Sequence, residues 1–174
     1  MHARRTVEIA IRDAARSFAC VVICGPRRAG KTTAARQAPS DGIRSVTLDD
    51  LDDRSLAALN PRIFLDDKGW PLLIEESRKA PALLPEIKKR IDDMKLRHIR
   101  SGGPLPLMYV LTLSNSFELP QEALGQMSGR SAVIEMSSMT EHEKRGIPET
   151  LFSPRISAWQ DLEESGSIPV RSRM

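Results

Sequence analysis

Short apolar runs alternate along this chain with stretches whose apolar residues return every three or four positions. Residues 3–16 carry Val7, Ile11, Ala14 and Ala15 between charges, which predicts an amphipathic helix. "ACVVIC" (19–24) is a β-branched run flush against Gly25, as in a strand buried on both faces. "KTTAARQA" then opens a helix that Pro39 and "PSDG" end. "IRSVTL" (43–48) alternates as a second strand, and "DDLDDRSLAALN" follows as a helix, with acids in its first turn and Pro61 as its stop. The third strand runs from Pro71 to Glu76. A longer helix follows Pro81, where Leu84, Ile87, Ile91 and Met94 turn one face to a core and leave a Lys/Arg face to water. "LPLMYVLTLS" predicts a fourth strand, "LPQEALGQM" (119–127) a short helix, and "SAVIEM" (131–136) a fifth strand.

Strand and helix alternate without adjacent hairpins, so the connections are crossovers. That predicts an α/β fold of three layers, with a mostly parallel five-stranded sheet between helices. One domain over 1–150 is expected. From about Ser153 the text turns to Ser, Pro, Gly and Arg, so residues 151–174 read as a weakly folded tail or the start of a further region.

Composition narrows the function classes only a little. The 174 residues are 40% apolar and 28% charged, a globular balance that can bury a core without staples. Lys+Arg exceed Asp+Glu by 26 to 23, a net +3 that permits a nucleic acid or anionic partner without indicating one. Aromatic residues make up 4% of the chain, too few for a base-stacking platform. Cys20 and Cys24 fall on one face of the first strand, roughly 13 Å apart at about 3.3 Å per residue. A disulfide needs Cα atoms within about 7 Å, so these thiols cannot pair with each other. Reduced cysteines predict a cytoplasmic protein, and no apolar run reaches the length of a membrane span.

The chemistry lies in "CGPRRAGKTT". "GPRRAGKT" fits G-x-x-x-x-G-K-[ST], the Walker A pattern, at Gly25, Gly30, Lys31 and Thr32, between an apolar strand and a helix. Glycines let successive N–H groups of Gly25, Pro26–Ala29 and Gly30 turn inward on phosphate oxygens (Pro26 itself has no N–H). Lys31 would reach the β- and γ-phosphates, the Thr32 hydroxyl would ligate Mg²⁺, and Thr33 closes the loop. Arg27 and Arg28 are open positions that either touch phosphate or a partner, or stay solvated. ATP with Mg²⁺ is the expected ligand pair.

Hydrolysis also needs a carboxylate for the metal and a group that aims water. "PLLIEES" offers Glu75 and Glu76 at a strand end, where open parallel sheets bind ligands. Glu75 is the metal candidate and Glu76 the base. Thr112, Ser114 and Asn115 at the end of the fourth strand are candidates to sense the γ-phosphate. Arg130, just before the fifth strand, stabilises transition-state charge in its own or a neighbouring subunit, or makes a structural ion pair. His2, His98 and His142 are scattered among charges and receive no role.

In this order "VVICGPRRAGKTT", "TLDDLDDRSLAALNPRIFL", "PLLIEESRKAPALLPEIKKRID" and "YVLTLSNSFELPQEALGQMSGRSAVIEMSSMTEHE" resemble a bacterial and archaeal AAA-superfamily group. Its members join an N-terminal P-loop ATPase domain to a C-terminal region of nuclease-like character. The resemblance covers residues 3–145. It implies the additional-strand order, with "YVLTLS" between the loop strand and the "PLLIEE" strand, and gives the ATP chemistry to Lys31, Thr32, Glu75 and Glu76, with Thr112 or Ser114 as sensor. The chain departs from the family in three respects. Glu75 stands where an Asp is usual, Leu113 where a Gly is usual, and the C-terminal region is missing. The chain therefore reads as a truncated member, an isolated domain or a decayed gene product. An apolar docking surface, for a protein partner or a second copy, is expected with it. Two readings stand: a Mg²⁺-dependent ATPase, or a nucleotide-binding module with little hydrolysis. A small-molecule kinase is disfavoured, because no Arg-rich lid follows the loop.

Overall fold

The computed structural model describes residues 7–37, 43–101, 105–114, 127–140 and 143. The helix expected over 119–127, Asn115 and the tail from 151 lie outside the described residues, apart from Met127. Strands β1 (Cys20–Gly25), β2 (Arg44–Thr47), β3 (Leu72–Glu75), β4 (Tyr109–Ser114) and β5 (Ser131–Glu135) form one sheet in the order β2-β3-β4-β1-β5. All neighbours run parallel, so the mostly parallel sheet expected is parallel throughout. Strand β4 does lie between the loop strand and the acidic strand, with Gly25 opposite Ser114 and Ile74 opposite Leu111.

Side chains alternate along each strand and so divide the core in two. Val21, Ile23, Leu73 and Val110 pack on Ile11 of α1 (Val7–Ser17) and on Ala34 and Ala35 of α2 (Lys31–Gln37). Alanines at that contact let α2 lie close to the sheet, which later matters for Thr32 and Arg36. The other face carries Cys20, Val22, Cys24, Leu72, Ile74, Leu111 and Leu113. It packs against α3 (Leu51–Leu59), α4 (Pro61–Lys68) and α5 (Leu83–Ser101). Both cysteines are free and share that face, and burial pushes the Cys20 thiol up to about 12. On α5, Ile87 and Ile91 are fully buried while Leu84 and Met94 flank them, the periodicity expected.

Two local features go beyond expectation. Helix α3 ends at Leu59, before Pro61 as expected, but Pro61 also starts a further helix, α4, at its first helical position, where its missing N–H costs nothing. Asn60 makes that possible. Its N–H closes α3 on the Leu56 carbonyl, and its side-chain oxygen accepts from Ile63 N at 3.3 Å. Arg90, expected on the wet face of α5, instead donates to Asp66 (2.6 Å), Glu86 (3.1 Å) and the Arg62 carbonyl (3.0 Å), tying α5 to α4.

The sheet's far edge is pinned to α5 by a forked ion pair. Arg130 Nε and Nη2 donate to the two Asp92 oxygens at 2.6 and 3.0 Å, and Nη1 donates to the Ser128 carbonyl at 3.0 Å. Hydrogen bonding from Arg130 holds the Asp92 carboxyl below its usual range. A carboxyl depressed in the folded state stabilises above its unfolded pKa of about 4, and that contribution is lost as pH falls through the depressed value. Arg130→Ala should therefore lower the urea midpoint at pH 7, and the gap from wild type should close as pH falls below the ordinary carboxylate range and through the depressed Asp92 value. A gap independent of pH would mean the fork contributes only packing.

Gly25 is held to its identity by the neighbouring strand. The Met136 N–H donates to the Cys24 carbonyl at 2.7 Å, and a Cβ on Gly25 would lie 2.0 Å from the Met136 carbonyl oxygen. Backbone meets backbone there, so neither can swing away. Gly25→Ala should destabilise by about 3 kcal/mol or more, at the upper end for overpacking, read as a lowered thermal midpoint. An unchanged midpoint would contradict this packing of β5 on the loop.

Candidate functional site

The loop Gly25–Lys31 bends through positive φ at Gly25 (152°), Arg28 (65°) and Gly30 (90°). Ala29 is buried beneath it and donates its N–H to the Pro26 carbonyl at 3.3 Å, while Ala34 N to Gly30 O (3.0 Å) begins α2. Lys31 is 6% exposed and donates from Nζ to the carbonyls of Gly25 (3.0 Å) and Pro26 (2.8 Å). Burial lowers its pKa, and the Glu76 carboxylate works the other way. The ammonium thus sits at the centre of the loop, facing an acid. Pro26, Arg27, Arg28 and Thr33 are exposed.

The adjacent carboxylates at the end of β3 go to different neighbours. Glu75 lies on the α2 face, as alternation from Leu73 requires. Its Oε2 accepts from the Thr32 hydroxyl at 3.2 Å, and its Oε1 accepts from Arg36 Nη2 at 2.7 Å and from Ser45 Oγ at 2.8 Å. Glu76 has left the strand for the left-handed region, φ 54° and ψ 40°, before a 3₁₀ turn over Ser77–Lys79. Its carboxylate accepts a short hydrogen bond from the Ser114 hydroxyl at the end of β4. A non-glycine residue in that backbone region is uncommon and needs support from its surroundings.

Thr112 supplies the support. It is 1% exposed, its Oγ1 accepts from the Glu76 N–H at 3.4 Å, and its carbonyl accepts from the Ser77 hydroxyl at 3.3 Å. Of the sensor candidates among the described residues, Ser114 therefore meets the Glu76 side chain, whereas Thr112 holds the Glu76 backbone. Leu113, where a Gly is usual in the resembled family, is 2% exposed, packed in the core with Cys24 and Ile74, and continues β4 in register with Cys24.

Arg130 is not part of this constellation. Ser131 pairs with Cys20 at the opposite end of β1 from Gly25, about 16 Å away at 3.3 Å per residue. With its guanidinium turned to Asp92, it does not serve its own subunit's loop; the structural ion pair is the alternative that the geometry supplies. Conversely, sequence reading passed over Arg36, Ser45 and Ser77. A signal for Arg36 existed, since it lies one helical turn after Thr32 and so shares its face.

The donor set suits a hard divalent cation: a hydroxyl and a carboxylate oxygen 3.2 Å apart beside the loop. Among the described residues no group of three or more His, Cys, Asp or Glu could hold a metal alone, so phosphate and water would complete the shell. No helix of the described residues is long and apolar enough to cross a membrane.

The crystal structure of Saccharomyces cerevisiae RIF2 is similar at a TM-score of 0.43 and 15% identity, covering 92% of this chain and 68% of that one. A likeness that distant carries no argument. No curated protein sequence matches significantly. A family model described as "AAA domain" matches residues 17–144, from the end of α1 through the loop, both carboxylates and β5. The chain belongs to the AAA domain family, with a nucleotide-binding, P-loop ATPase-like domain.

Proposed function

We propose that this domain binds ATP with Mg²⁺ and hydrolyses it in the cytoplasm, where thiols such as Cys20 and Cys24 stay reduced. The observation that carries the reading is the division of labour at the end of β3: Glu75 meets the Thr32 hydroxyl while Glu76 meets Ser114. The metal would supply charge neutralisation on the phosphates. Thr32 and Glu75 would hold it, and the Gly25–Gly30 backbone would cradle the phosphates. Lys31, already at the loop's centre, would exchange its two carbonyl partners for phosphate oxygens. Glu76 would accept the proton of the attacking water, with Ser114 fixing its carboxylate and Thr112 fixing its backbone. Removal of a general base typically costs about 10²–10⁴-fold.

A second reading, a nucleotide-binding module without turnover, is favoured by the Ser114 bond, which occupies one oxygen of the proposed base. Turnover of ATP with Mg²⁺ separates the two. Wild type should hydrolyse ATP; Lys31→Ala should lose binding and turnover; Glu76→Gln should lose about 10²-fold or more in turnover with affinity retained. Tight binding by wild type without turnover would establish the module instead. A wild type that binds no ATP would overturn both.

A further inference from the structure

Glu75 is one methylene longer than the Asp usual at its position, and the described structure gives that length a use. Thr32 and Arg36 stand one turn apart on a flank of α2, beside the Ala34/Ala35 face that packs on the sheet, a Cβ separation of about 5–6 Å. The Glu75 carboxylate lies between them, with Oε2 3.2 Å from the Thr32 hydroxyl and Oε1 2.7 Å from Arg36 Nη2. Ser45 completes the arrangement. It lies on β2 opposite Leu73, so it shares the α2 face with Glu75, donating to Oε1 at 2.8 Å and accepting from Arg36 at 3.1 Å. Arg36 and Ser45 thus bond to each other and to one oxygen of Glu75, and leave the other facing Thr32.

We infer that Arg36 and Ser45 are positioning residues that clamp Oε1 of Glu75 and thereby aim Oε2 at the divalent-cation site beside Thr32. The inference rests on the Mg²⁺-binding reading above and deepens it. An Asp at position 75 would draw the whole carboxylate back by about 1.5 Å, away from the Arg36–Ser45 pair and the Thr32 hydroxyl that Glu75 meets together. The longer acid is therefore matched to this site rather than a weakened copy of a shorter one.

Two effects of Arg36 oppose each other. Partners that orient a metal's carboxylate are typically worth about 10–100-fold in metal affinity. The positive charge of Arg36 also repels the cation, but its side chain is 57% exposed. At that exposure, screened repulsion across about 6–7 Å amounts to about two- to threefold in the other direction. Orientation wins. Ser45 carries no charge, so its removal exposes the orienting effect alone.

The test is ATP affinity measured calorimetrically in EDTA and in saturating Mg²⁺, the ratio giving the Mg²⁺ gain, with thermal midpoints as a check on folding. Wild type should show a gain, and Arg36→Gln and Ser45→Ala should each reduce it by about fivefold or more, with affinity in EDTA unchanged. Glu75→Asp should also reduce the gain, but add little in the Arg36→Gln background, because the clamp it would miss is already gone. Arg36→Gln leaving the gain intact or raising it would overturn the clamp. So would Glu75→Asp raising the gain in wild type. ATP binding in wild type with no Mg²⁺ gain at all would instead overturn the metal reading of Glu75 on which the clamp rests.

Discussion

Strand β4 hydrogen-bonds to β1 on one side and to β3 on the other, and that insertion determines where every element of the site can stand. Because all three run parallel, their C-terminal ends open at one edge of the sheet. The loop leaves β1 there, the carboxylates end β3 there, and Ser114 ends β4 between them. An antiparallel β4 would bring its other end to that edge and leave Glu76 without a hydroxyl. Parallel pairing in turn requires long crossovers, which the helices supply while burying both faces. The continuous apolar text of β1, β3 and β4 follows from the same requirement, as does the small-residue contact of Ala34 and Ala35.

At that edge, two neighbouring acids are made chemically distinct by backbone geometry. Glu75 still obeys strand alternation and faces α2. Glu76 adopts a left-handed conformation, held from below by Thr112 and at its carboxylate by Ser114. One acid is thereby presented to a hydroxyl that can ligate metal, and the other to the region in front of the loop. Lys31 feels the second acid while it is folded onto the loop carbonyls. Charge and direction are set in the protein itself.

Much of this was legible from residues alone, for identifiable reasons. A strand buried on both faces is a continuous apolar run, so β1, β3 and β4 announce themselves, and the phosphate loop has fixed residue types between a strand and a helix. Helix α4 was hidden because Pro61 has opposite meanings before and after a helix start, and only the Asn60 cap decides between them. Arg36 and Ser45 were hidden for another reason. Their meeting with Glu75 depends on β2 lying beside β3, an adjacency that no local spacing encodes. Arg130 had three meanings in the sequence, and the register of β5 placed it at the far end of the sheet from its own loop.

The central claim is that loop, acidic strand end and β4 terminus form one Mg²⁺-nucleotide site. Hydrogen exchange of the wild-type protein with and without ATP and Mg²⁺ tests it most directly. Ligand should slow exchange together across the amides of Gly25–Thr33, of Glu76–Ser77 and of Leu113–Ser114, and Mg²⁺ should be needed for the full effect at Glu76. Protection confined to the loop, or found elsewhere in the chain, would contradict the account.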